Sequence, residues 1–187
     1  MQKTISSLLL VVFGSTLLSA EVFDDNKEGF ILGVGVGISR INSDVTRNSN
    51  NNFKIKSEYD TGFATSLKIG YGFNNQFSAF LVRNASWFSY SNDQKDDTYV
   101  SGILGLGVSY YTSKNSPLYL TAAYGQGDFM NQSEGEKEIG GALMFGMGYE
   151  VSPHLQIEGD WILSAIDKSN TKLSTSAFQL NINYLLY

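Results

Sequence analysis

The chain of 187 residues contains no cysteine, two prolines and one histidine. The absence of cysteine excludes a disulfide framework, a thiolate metal site and a lipid anchor attached through sulfur. Basic residues are outnumbered, 13 against 18 acidic residues, and they form no cluster. Because phosphate neutralisation by lysine and arginine supplies most nucleic-acid affinity, we expect no nucleic-acid partner.

The chain also lacks the run of about 20 apolar residues that a membrane helix requires. Its longest apolar stretch lies at the N-terminus, where Lys3 precedes a run from Leu8 to Leu18 and Ala20 follows. A short positive segment, an apolar segment of this length and a small residue are typical of a cleavable secretory signal peptide. We therefore predict a signal peptide over residues 1–20 and one exported domain over residues 21–187.

What the chain has in abundance is alternation of apolar and small residues. In the segment "ILGVGVGIS", aliphatic residues alternate with Gly33, Gly35 and Gly37. This spacing differs from the G-x-G-x-x-G of a dinucleotide-binding turn, and a period of two predicts a β-strand. The same period predicts strands in the segments 62–73, 100–111, 118–125, 139–150, 155–164 and 178–187.

An eighth strand is predicted between Phe77 and Phe88, where the alternation supports two registers. One register has Phe80 and Val82 on the apolar face, and the other has Leu81 and Trp87 there. A β-bulge would reconcile the two. The register of this strand stays open at the level of the sequence.

The connections between these strands alternate in length. Segments 74–76, 113–117 and 152–154 have the composition of tight turns, whereas 42–60, 89–97, 126–137 and 165–175 are longer and polar. An even number of strands joined by short and long connections in turn predicts an all-β fold. We expect an eight-stranded antiparallel up-and-down transmembrane β-barrel.

The two faces of the strands differ in a way that indicates which solvent each one meets. The face opposite the apolar residues consists mainly of glycine, alanine and serine, with few charges. A water-exposed surface is rich in lysine, glutamate, aspartate and arginine, so the alternative of a soluble secreted barrel is disfavoured. Small residues suit the narrow interior of a membrane barrel, whose apolar residues face lipid.

The signal segment, "GVGVGIS", "SLKIGYGFNNQFSA" and the final "FQLNINYLLY" resemble the small eight-stranded outer-membrane β-barrel family of the OmpA transmembrane domain, OmpX and the opacity proteins. The resemblance implies a Gram-negative outer membrane, periplasmic termini and short turns, and long loops at the cell surface. It implies outer-membrane lipid and lipopolysaccharide as neighbours, and recognition of Phe178–Tyr187 by the assembly machinery. One departure is that the apolar residues of this strand are out of phase with Tyr187. We expect a monomer without cofactor or metal.

Charged residues on the predicted lumen face are the candidate functional residues. Lys68 and Glu158 are expected a few residues above the short turns, and Asp160 slightly deeper. Arg83 joins them if its strand takes the register with Phe80 on the apolar face. Such residues form either the gate of a narrow ion pathway or a salt-bridge network that fills the lumen. The full candidate set is Lys68, Arg83, Glu150, Glu158 and Asp160.

The remaining motifs predict no catalysis. His154 lies in a short turn, where it cannot serve as the base of a lipid-modifying site in the barrel wall. Glu158 and Asp160 form a carboxylate pair without a predicted substrate cleft. The sequence therefore predicts a non-enzymatic protein with a structural or surface-interaction role, the latter through the segment 42–60. The alternative is a narrow pore or a conduit for small or hydrophobic solutes, as in OmpW-like relatives.

Overall fold

The computed structural model describes residues 27–47, 53–92, 95–114, 116–132, 135, 137–168 and 171–186. The predicted signal peptide, the centre of the segment 42–60 and the terminal Tyr187 lie outside the described residues. Eight strands are present: β1 (Gly29–Arg47), β2 (Phe53–Asn74), β3 (Phe77–Asn92), β4 (Lys95–Tyr111), β5 (Leu118–Asn131), β6 (Lys137–Ser152), β7 (Leu155–Lys168) and β8 (Thr171–Leu186).

The strands form one closed antiparallel barrel, which confirms the predicted fold class. Each strand pairs with its neighbours in sequence, and β1 also pairs with β8. Tracing paired residues from Val34 once around the barrel returns to β1 at Asp44, ten residues further along. This stagger requires the strands to tilt against the barrel axis. Across the described residues, no helix has the length and apolarity needed to span a membrane.

The outer wall carries the large apolar side chains, as the alternation predicts. On β1, Val34 and Ile38 are 53% and 63% exposed, whereas the intervening Gly35 is buried. Near the short turns this wall is aromatic, and Phe73 stacks on Phe77 with ring centroids 5.8 Å apart. An apolar outer band with aromatic residues at its edge suits a lipid environment rather than water.

The long polar segments predicted as loops are largely strands, which corrects the sequence-based expectation. Residues 42–47 belong to β1 and residues 53–60 to β2, and the other three long segments likewise extend their strands. A tilted strand needs only about 9–11 residues to cross a membrane. The additional residues project beyond the apolar band and are mostly polar, so the alternation that predicts strands is largely lost there. We call this end of the barrel the hairpin end, and the other the short-turn end.

The register of β3 is resolved, with Phe80, Val82 and Phe88 inside the barrel and Leu81 on the outer wall. The pairing of β3 with β4 runs without a shift from Phe77 to Asn92, so no bulge lies between Phe77 and Phe88. The alternation is ambiguous here because both faces of β3 carry large apolar side chains, although Asn84 also lies on the inner face. One face meets lipid, and the other packs in the lumen.

Candidate functional site

The lumen near the short-turn end contains a buried ion pair. The side chains of Lys68 on β2 and Glu158 on β7 both point inward from opposite parts of the wall. The Lys68 Nζ donates to Glu158 Oε1 at 2.7 Å. Tyr119 on β5 donates its hydroxyl to Glu158 Oε2 at 2.6 Å, and it lies 2.7 Å from Gln156 Oε1. Buried charges require such partners, and this pair has them.

A second ion pair closes the short-turn end of the barrel. Lys27 lies two residues before the start of β1, and its Nζ is 3.0 Å from Glu150 Oε2. The same ammonium lies 3.6 Å from the centroid of the Tyr111 ring, a cation–π distance. Tyr111 donates to Glu150 at 2.6 Å, and Gln156 donates to both, which links the two ion pairs. Lys27 thus occupies the mouth of the lumen.

Asp160 lies on the same inward face, two residues beyond Glu158, and has a different set of partners. Its Oδ2 accepts from the amide nitrogens of Asn84 at 3.0 Å and Asn181 at 3.4 Å. No ion pair joins Asp160 to a cation within the described ranges, although its side chain is fully buried. Side-chain amides, and not a direct ion pair, are the hydrogen-bond donors to this carboxyl group.

Toward the hairpin end the lumen contains a cluster of aromatic and aliphatic side chains, which the sequence does not predict. Buried polar groups such as Ser164 and Thr175 lie among them. Phe88, Tyr99 and Phe129 pack together with ring centroids 5.6–6.2 Å apart. Phe88 belongs to a buried cluster contributed by seven of the eight strands, and Tyr99 and Phe129 pack against that cluster. This cluster consists of Ile41, Phe80, Val82, Phe88, Ile103, Ala123, Ala142, Met144, Ile162 and Ala177.

The lumen is therefore filled at both levels. The internal cavity beside Lys27 and Lys68 has a volume of about 20 Å³, which is room for roughly one water molecule. Glycines make this filling possible, since a Cβ on Gly107 would overlap the ring of Phe80 and one on Gly148 would overlap Tyr119. Within the described part of the lumen, this arrangement leaves no wide aqueous path.

The structure brings four of the five candidate residues into the lumen, but not Arg83. Successive side chains of a strand point to opposite faces, and Phe80 and Val82 face inward, so Arg83 faces outward from β3. Its guanidinium forms two hydrogen-bond contacts with Asp128 on β5, each 3.0 Å long. The expectation that Arg83 joins the lumen network is thus wrong, because the strand takes the other register.

The structure also places Glu150 and His154 near the short-turn end. The partner of Glu150 is Lys27, which sequence reasoning missed because it precedes the first strand and belongs to no alternating pattern. His154 lies in the turn between β6 and β7 and is exposed, with its Nδ1 2.9 Å from the carbonyl oxygen of Leu185. In the described part of the chain, no three histidine or acidic side chains gather as a metal site.

Comparisons with known proteins agree with this architecture. Residues 7–185 match the sequence model of a family described as outer membrane protein beta-barrel domain. No curated protein matches the chain significantly. Among solved structures, the chain is similar to Ail, the attachment invasion locus protein of Yersinia pestis, with 16% identity and a TM-score of 0.53 over 84% of this chain and 99% of that one.

Two other solved structures show the same architecture. OprG, an outer membrane protein of Pseudomonas aeruginosa, is 13% identical with a TM-score of 0.51 over 87% of this chain and 99% of that one. Neisserial surface protein A is 18% identical with a TM-score of 0.50 over 81% and 96%. At such identities these similarities show the shared fold alone.

Proposed function

Because the chain belongs to the outer membrane protein β-barrel family and lies in the outer membrane, we propose that it acts without catalysis, as a structural protein that makes contacts at the cell surface. The short-turn end faces the periplasm and the hairpin end faces outward, in keeping with the family resemblance. Lipopolysaccharide surrounds the outer half of the wall, and the assembly machinery recognises Phe178–Tyr187. The protein acts as a monomer.

The observation that carries this proposal is the projecting β1–β2 hairpin. The pairing of β1 with β2 continues to Arg47 and Phe53, whereas the pairing of β2 with β3 ends at Phe63 and Trp87. Within the described residues, the edge of β2 from Phe53 to Thr61 therefore has no neighbouring strand from β3. Tyr59 on this hairpin is 64% exposed, with the Arg40 guanidinium 5.2 Å from its ring centroid.

An unpaired strand edge presents backbone donors and acceptors to any partner that approaches it. The hairpin extends from the last lipid-facing aliphatic residue of β1, Ile38, to Arg47, a strand length of roughly 30 Å at about 3.3 Å per residue. This places an accessible edge and an exposed aromatic residue beyond the apolar band. The geometry favours contact with a molecule outside the cell.

Shortening the hairpin tests this role. Residues 43–58 are replaced by Asn-Gly, which preserves the observed pairing of Asn42 with Tyr59. Bacteria displaying this variant should attach to cultured epithelial cells about tenfold less than bacteria displaying the intact chain. The matched control replaces residues 90–97 of the β3–β4 hairpin by Asn-Gly, next to the pair Ser89 and Thr98, and should keep attachment. Equal attachment by both variants and the intact chain, with heat-modifiable folded barrels on gels, would refute the proposal.

The filled lumen argues against the alternative of a narrow pore or solute conduit. Lys27 and the Lys68–Glu158 pair occupy the periplasmic half, and the aromatic cluster around Phe88 occupies the outer half. In planar bilayers we expect the refolded protein to show no resolved single-channel steps. Reproducible steps that disappear on substitution of Lys68 or Glu158 would instead identify a conducting lumen.

A further inference from the structure

The outer wall carries an ion cluster that the lumen network does not explain. Arg83 on β3, Asp128 on β5 and Lys137 on β6 share one carboxylate, because Asp128 Oδ2 lies 3.0 Å from Arg83 and 3.4 Å from Lys137. We call these three residues the wall cluster. It contains two positive charges and one negative charge, so it carries a net positive charge on the side of the barrel that faces lipid.

The position of Arg83 is unusual for a charged residue. Its neighbours of the same parity on β3 are Leu81, which is 46% exposed on the wall, and the small Ala85. A charge here is costly unless it reaches the membrane interface or a partner. The cost falls steeply toward the interface, so the direction in which the side chain extends decides how Arg83 is tolerated.

The guanidinium extends toward the hairpin end. Arg83 pairs with Leu104 on β4, and Leu104 pairs with Gln126 on β5. The ion-pair partner of Arg83 is Asp128, which lies two residues beyond Gln126 toward the hairpin end. The path crosses β4 at Gly102, where an added Cβ would overlap the Asn84 carbonyl oxygen and would also stand 3.0 Å from Arg83 Nη1. Gly102 therefore leaves room for the arginine to lie flat across the wall and reach the upper edge of the apolar band.

The cluster stays accessible after its internal pairing. The side chain of Arg83 is 29% exposed and that of Lys137 is 46% exposed, whereas that of Asp128 is only 10% exposed. The carboxylate is thus enclosed by its cations, and the cations retain donors that face outward. Neutralising the Asp128 carboxylate requires only one cation, so the wall cluster contains one cation more than this purpose needs.

Resting on the outward orientation proposed above for the hairpin end, we propose that the wall cluster binds a phosphate group of an anionic glycolipid in the outer leaflet, of the lipopolysaccharide type. The headgroup phosphate lies at the level to which Arg83 extends, and its acyl chains cover the apolar wall below. Arg83 and Lys137 donate to the phosphate oxygens, and Asp128 holds the guanidinium in position. A partner in bulk water would not reach an arginine that begins within the apolar band.

The test measures binding of lipid to the folded full chain in detergent micelles by native mass spectrometry. The probes are bisphosphorylated lipid A, the same lipid without phosphates, and inorganic phosphate. We expect the phosphorylated lipid to bind about tenfold tighter than the dephosphorylated one, and inorganic phosphate to compete only weakly. Lys137→Gln should remove most of this preference, as should the double replacement Arg83→Met with Asp128→Leu, which takes the buried charge pair out together.

Lys172→Gln is the matched control, since Lys172 is exposed at the hairpin end of β8 and belongs to no part of the wall cluster. It should retain the preference for the phosphorylated lipid. The proposal is overturned if the intact chain binds both lipids equally. It is also overturned if Lys137→Gln and the double variant keep the preference as folded, heat-modifiable barrels, or if inorganic phosphate displaces the lipid at a similar concentration.

Discussion

Replacing Glu158 with glutamine is expected to lower the free energy of unfolding by about 3 kcal/mol, because it leaves the Lys68 ammonium buried without a counter-charge. The substitution keeps the shape of the side chain, so the loss reports charge rather than volume. The amide oxygen of the new glutamine can still accept the hydrogen bond from the Tyr119 hydroxyl, so the loss of stability comes from the ion pair alone. Urea unfolding of the refolded barrel in lipid vesicles measures the change.

Asp160→Asn is the matched control, two residues along the same inward face. Asp160 accepts hydrogen bonds from Asn84 and Asn181 and has no ion-pair partner among the described residues. Replacing its carboxyl group with an amide should therefore change the free energy of unfolding by less than about 1 kcal/mol, in either direction. Equal losses for the two variants would contradict the claim that Lys68 depends specifically on Glu158.

The contact between Lys68 and Glu158 is the part of the candidate site that sequence reasoning locates. Both residues lie on small-residue faces, and counting from the short turns puts them at similar depth. The closed barrel then brings β2 and β7 within reach across a lumen of eight strands. The periodicity predicts this contact because β2 and β7 each have an apolar face toward lipid and a face of small residues toward the lumen. The alternation therefore shows that Lys68 and Glu158 face inward.

Arg83 shows where that reasoning fails. Phe80 and Val82 lie in the lumen and Leu81 on the wall, so both faces of β3 carry large apolar side chains. The alternation therefore does not show which face is inside. The extended hairpins are missed for a related reason, since most of their residues are polar and leave little apolar alternation. Lys27 has no periodic signal at all, because it reaches Glu150 from the segment before β1.

Gly148→Ala is expected to destabilise the barrel by about 2–3 kcal/mol, in the upper range for overpacking of a filled interior. Gly148 on β6 faces the lumen directly against Tyr119, and a Cβ there would overlap the end of the tyrosine ring. Tyr119 is only 1% exposed, and the cavity beside it, about 20 Å³, is too small to accept a displaced ring. Moving it would also strain its hydrogen bonds to Glu158 and Gln156. Urea unfolding in vesicles again provides the measurement.

Gly141→Ala separates this overlap from the general effect of removing a glycine from β6. Gly141 has the outward parity of the strand, and a Cβ there meets no atom within 4 Å. Since alanine restricts the unfolded chain more than glycine, this control should be neutral or stabilise by up to about 1 kcal/mol. If Tyr119 is the cause, Gly148→Ala should cost less than about 0.5 kcal/mol in a Tyr119→Ala background, where the ring is absent. An unchanged cost in that background would mean that the backbone of β6, rather than the packing of the lumen, requires glycine at this position.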